Sequence, residues 1–186
     1  MKKTERKKRR AYLDDFTRDA DGEYRYAGSV YELCEGGVTR RGFLARIAVC
    51  FAVTVLCTAG QGTLPAPGTD NSPFVLIPFA ASVIALLVLL WAEAGILFAE
   101  YPMREYKLTR YVKSLWRRSV VFAAIEAAVA VGEAVYLIVS GTDGKLPGAF
   151  ALFAMCALGA ASALYAGNTA RRAEWNKIVR TTSLEC

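Results

Sequence analysis

Three acidic residues stand inside long apolar runs of this chain: Glu93, Glu126 and Glu133. A carboxylate facing lipid costs several kcal/mol, so each is expected to face a helix-bundle interior, a water-filled cavity or a partner. Glu126 and Glu133 are seven residues apart, two turns of an α-helix, and therefore share a face. Counted from the helix ends that hydropathy suggests, Glu93 and Glu126 lie at matching depths. A hairpin connection between their helices would then bring the two carboxyls close together. No Lys, Arg or His is expected at those depths. The carboxyls are thus either neutral or hold a cation, supplied by a substrate, an ion or a basic group on a partner protein.

Other chemistry is sparse. The chain has no histidine, which removes the usual catalytic base and the commonest metal ligand. It shows no glycine-rich phosphate loop, serine triad or zinc pattern, so the sequence reads as a non-enzyme with no cofactor and no metal. None of the five cysteines forms a Cys-x-x-Cys pair, and no disulfide framework follows. Cys50 and Cys57 are about 10 Å apart along one helix face and read as packing residues. Asp19-Ala20-Asp21-Gly22 opens like a calcium loop, but the remaining ligands do not follow, and a hairpin turn at Asp21-Gly22 is the better reading.

The elements that must position the glutamates are four apolar runs, at about 43–59, 74–98, 119–139 and 147–166. The chain is 54% hydrophobic, and its charges lie between those runs. The expected fold is an all-α integral membrane protein, a four-transmembrane-helix bundle (42–167) with a basic N-terminal segment (1–41) and a tail (168–186). Ser29–Leu33 reads as a short amphipathic helix on the membrane surface. The loop from Tyr101 to Trp116 has helical spacing and reads as an extension of the third span into the interface. Ala124, Ala128 and Gly132, and likewise Gly159, Ala163 and Gly167, form small-residue stripes suited to packing within one chain.

Orientation follows from the basic residues. Of 23 Lys and Arg, only Lys145 falls in a loop on the far side; the other 22 share one side. That side should be cytoplasmic, with both termini on it, in the plasma membrane. Thr39-Arg40-Arg41-Gly42-Phe43-Leu44 resembles a twin-arginine export signal but reads as the basic anchor of the first span. Seven of the first ten residues are basic, Lys2, Lys3, Arg6, Lys7, Lys8, Arg9 and Arg10, and are expected to contact anionic lipid headgroups. The net charge of +6 is thereby a topology signal, and nucleic acid is not an expected partner.

Two functions fit. The first is a non-enzymatic subunit or accessory protein of a transport-related membrane complex, bound to a membrane-protein partner or to copies of itself. The second is a small proton- or cation-coupled carrier using Glu93, Glu126 and Glu133. The topology has its own test. In a background without the native cysteines, a cysteine at Thr69 should react with an impermeant thiol reagent from outside intact cells and one at Thr109 should not; the reverse pattern inverts the orientation.

Overall fold

The computed structural model describes residues 16–18, 24–26, 29–34, 39–64, 68, 72–140 and 146–178. Four long helices carry the apolar runs: α1 (Arg40–Gln61), α2 (Pro73–Leu97), α3 (Glu105–Ser140) and α4 (Leu146–Arg172), each long and apolar enough to cross a membrane. Their outer faces are apolar and uncovered by protein. Phe98 is 87% exposed and Ile138 83%, the kind of apolar surface that membrane-crossing helices present. Successive helices run antiparallel, each packs on the next, and α4 closes the ring on α1.

Local sequence sets the helix starts. The Thr39 hydroxyl accepts from the Gly42 N–H at 3.2 Å and caps α1. Pro73 occupies the first position of α2, where its missing N–H costs nothing, and the helix runs on through Pro78. Helix α3 begins fourteen residues before the apolar run at Ser119, which agrees with the expected extension of the third span, and it contains a π-helical turn at Leu108–Val112.

Buried positions recur at alternating steps of three and four. On α3 they are Leu115, Ser119, Phe122, Glu126, Val129 and Glu133. On α4 they are Ala149, Leu152, Cys156, Gly159, Ala163, Ala166 and Ala170, with Gly167 beside them. That spacing holds one seam toward neighbouring helices at shallow crossing angles. Cys50 and Cys57 fall on the α1 seam, in keeping with a packing role. The small residues of α4 pack within the chain: a Cβ on Gly159 would meet Cys57 at 3.4 Å, and one on Gly167 would meet Ser119 at 2.7 Å. On α3 only Gly132 of its stripe does so, against the Phe74 carbonyl; Ala124 and Ala128 face outward.

A β structure was not expected at one end of the bundle. Strand β3 (Val30–Leu33) sits between β4 (Met103–Arg104) and β5 (Trp175–Ile178), antiparallel to both. The surface helix expected at Ser29–Leu33 is therefore a strand. Val30 and Tyr31 have high strand propensity, Leu33 is buried, and partners distant in sequence supply the ladder. Of the tail expected at 168–186, residues 168–172 continue α4 and Trp175–Ile178 form β5, and residues 179–186 lie outside the described residues. Trp175 stacks on Tyr101 at 6.2 Å and meets Phe43 edge-on at 6.1 Å, tying the sheet to the start of α1. The Arg40 guanidinium lies 4.1 Å over the Tyr101 ring. Burial pushes the Tyr101 phenol above its ordinary range, and the Arg40 charge opposes that rise.

A separate pair, β1 (Phe16–Arg18) and β2 (Tyr24–Tyr26), is antiparallel with Phe16 opposite Tyr26, consistent with a hairpin there. The turn itself, the basic stretch Lys2–Arg10 and Lys145 lie outside the described residues.

Close helix approach at Gly95 offers a packing test. A Cβ there would lie 2.5 Å from the Tyr111 ring of α3. Gly95→Ala should cost about 1–3 kcal/mol by overpacking. Thermal unfolding in detergent should show a lower melting temperature, and adding Tyr111→Ala should recover part of the loss. A neutral Gly95→Ala would show that the helices do not meet there.

Candidate functional site

All three glutamates point into the bundle. Glu93 and Glu133 are 0% exposed and Glu126 is 1% exposed. Each occupies the same seam that the apolar residues use, so the interior is interrupted by polar groups at fixed levels.

The level of Glu126 is the best furnished. The Gln61 amide of α1 donates from Nε2 to Glu126 Oε2 at 2.7 Å. Ser82 of α2 and Cys156 of α4 stand beside the same carboxyl. Every helix thus contributes one polar side chain to this level. The bonding is incomplete: Gln61 Oε1 and Glu126 Oε1 are both buried without a hydrogen-bond partner among the described residues. Ser82 spends its hydroxyl proton on the Phe79 carbonyl at 2.9 Å. Gln61 Oε1 has no donor, and the Cys156 thiol, a weak donor, is the other group beside the Glu126 carboxyl, which leaves room for a proton or a cation at this point. The same level divides the apolar core. One cluster, including Leu89, Leu115 and Phe122, lies toward the sheet, and a smaller one of Val129, Leu152 and Cys156 lies at and beyond Glu126.

Glu93 occupies a different level. Gly95 meets Tyr111, Arg118 Nη1 donates to the Val88 carbonyl at 3.0 Å, and Gly132 meets Val75. These contacts fix the antiparallel register of α2 on α3, and Glu126 falls opposite Ser82 in that register. Eleven residues of α2 separate Ser82 from Glu93, about 16 Å along the helix. The approach of Glu93 to Glu126 expected from sequence is therefore corrected. That expectation measured depth from Phe98 and Ser119, whereas α3 begins at Glu105 and packing of the long helix sets the register.

A base does reach this part of the bundle, contrary to expectation. Arg118 bonds α2 five residues deeper than Glu93. The Arg118 guanidinium nevertheless serves a backbone carbonyl, and both Glu93 oxygens lack a hydrogen-bond partner among the described residues. Across the seam Glu93 lies within electrostatic reach of Cys50.

Between these levels runs a line of hydroxyls. Thr54 Oγ1 donates to the Cys50 carbonyl at 2.8 Å and lies 3.4 Å from Ser162 Oγ, which donates to the same carbonyl at 3.1 Å. Thr58 donates to the Thr54 carbonyl at 3.1 Å. These bonds satisfy the hydroxyls inside an apolar bundle while setting polar atoms between Glu93 and Gln61. Beyond Glu126, two further turns along α3, Glu133 Oε1 accepts from the Gly68 N–H at 3.3 Å. A side chain at residue 68 would collide with the Glu133 carboxyl, so glycine permits this close approach.

The carboxyls therefore form a ladder, with Glu93 toward the sheet, Glu126 in the middle and Glu133 toward the other end. Steps of about 16 and 10 Å carry it across most of a ~30 Å hydrocarbon layer. Sequence reading found the three glutamates but missed Gln61, Ser82, Thr54 and Ser162. Ending the first span at residue 59 left Gln61 in a loop. Continued by two residues, Thr54, Thr58 and Gln61 share one face at helical spacing.

No protein-family model matches the chain, and no curated protein or solved structure matches it either.

The Gln61–Glu126 bond can be tested by a double-mutant cycle. Gln61→Leu leaves Glu126 Oε2 buried without its donor and should lower stability by about 1–3 kcal/mol. The Gln61→Leu/Glu126→Leu double variant should lose less than the two single variants together. Strict additivity in thermal unfolding would show that the two side chains do not interact.

Proposed function

We propose that this chain is a small carrier that moves protons or a small cation across the membrane by way of Glu93, Glu126 and Glu133. The observation that carries this reading is the ladder itself: three buried carboxyls at successive levels of one bundle, two of them without a basic partner among the described residues. Buried, ionisable groups inside a membrane bundle are expensive and mark ion pathways or proton relays. In this mechanism Glu126 is the central site. A proton or cation arriving there completes the valence of Glu126 Oε1 and Gln61 Oε1, and Gln61 holds the carboxyl in position. Glu93 and Glu133 exchange with the two surfaces. Thr54, Thr58 and Ser162 supply polar atoms along the longer step.

The carrier reading is preferred to that of an accessory subunit because all three glutamates are turned inward, away from any partner docked on the outer face. The chain is read as a non-enzyme without cofactor, set in the plasma membrane with the sheet and both termini cytoplasmic. Support for that orientation is the gathering of Arg46, Arg110, Lys113, Arg117, Arg171 and Lys177 at the sheet end.

The test is flux in liposomes holding the purified protein, with a pH-sensitive dye inside and with sodium or potassium gradients imposed in turn. Wild-type protein should dissipate at least one gradient. Glu126→Gln should reduce the rate at least tenfold with melting temperature and yield kept, and Glu93→Gln and Glu133→Gln should slow it less. Normal flux in all three variants, or none in wild type, would end the proposal.

A further inference from the structure

We propose a second site on this protein, for the phosphodiester headgroup of a membrane phospholipid, in the cavity between α1 and α4 at the sheet end. The cavity measures about 380 Å³. Its polar wall carries Arg46 from α1 and Arg172 from the last turn of α4, with Asn168 and Thr169 beside them. Both guanidiniums are exposed, and neither has an ion-pair partner among the described residues. Two unpaired guanidiniums facing one cavity, with an amide and a hydroxyl at hand, suit an anion with several acceptor oxygens. Glu174 also lines the cavity and offsets one of the two positive charges. The remaining single charge suits a phosphodiester, which carries one negative charge, better than a doubly charged free phosphate.

The surroundings argue for a lipid. Leu33 and Phe43 form an apolar floor. Away from the sheet, the outer faces of the same two helices present Val49 (62% exposed) and Leu56 (70%) on α1, with Leu158 and Tyr165 on α4. A headgroup held by Arg46 and Arg172 would lay its acyl chains along that apolar strip, whereas a soluble phosphate would use only the arginines. The site is separate from the carboxyl ladder, which lies inside the bundle.

Native mass spectrometry of the full chain in detergent tests this directly, with phosphatidylglycerol, diacylglycerol or inorganic phosphate added. Wild type should retain one phosphatidylglycerol against mild activation and should not retain diacylglycerol. Arg46→Gln/Arg172→Gln should lower retention at least fivefold, while Arg110→Gln/Arg117→Gln, exposed on α3 outside the cavity, should leave it unchanged. Equal retention by the first variant, or equal loss in both, overturns the site. Displacement of the lipid by millimolar inorganic phosphate overturns its assignment to lipid. A photoreactive acyl chain on the same lipid, applied to wild type, should label α1 and α4, and labelling confined to α2 and α3 overturns it independently of any variant.

Discussion

Inside a membrane an ionisable side chain must be enclosed by protein, and the arrangement of this chain follows from that constraint. Lipid offers no water to solvate a carboxylate and no donor to a neutral acid. The chain encloses Glu93, Glu126 and Glu133 by placing them on the helix seams that pack its apolar residues. The same constraint explains the surface. With polar groups gathered inside, the outer faces are left to residues such as Phe74, Ile77 and Trp91, all exposed. The glutamates are thus carried by the packing of the bundle, and the packing is limited by them. Gly68 lies against Glu133 where a side chain would not fit, and the Glu126 level interrupts the apolar core.

The sheet supplies a different kind of order. Apolar packing between helices in lipid lacks the hydrophobic driving force available in water, so van der Waals fit and fixed ends carry more of the arrangement. Strand β3 leads into α1, β4 into α3, and β5 follows α4. Pairing these three short segments joins the sheet-side ends of three helices. The cluster of Phe43, Tyr101 and Trp175 then packs the sheet onto the bundle. Such a clamp restricts sliding of α1, α3 and α4 past one another, and sliding by one turn would separate Gln61 from Glu126.

Legibility in the sequence varied with the range of the interaction. The four spans were visible because a run of some twenty apolar residues has few other uses. The inward direction of the glutamates was visible because the alternative is costly. The strand at Val30–Leu33 was misread as a helix because four residues carry little periodicity, and its partners at Met103 and Trp175 lie far along the chain. The partners of Glu126 were missed for a related reason: Gln61 is 65 residues away, just past the apolar run that marks the first span.

By itself, then, the sequence determined composition-driven and local features: four membrane-length helices, a basic end, and three carboxyls confined to the interior. These follow from the cost of exposing charge to lipid and from helical periodicity, which act on each segment alone. Only the tertiary structure decided which carboxyl sits at which level. Glu93 and Glu126 are about 16 Å apart along the bundle because the register of α2 on α3 is set by side-chain fit at Gly95, Val88 and Gly132. That fit is a property of two surfaces in contact, and neither helix holds it alone.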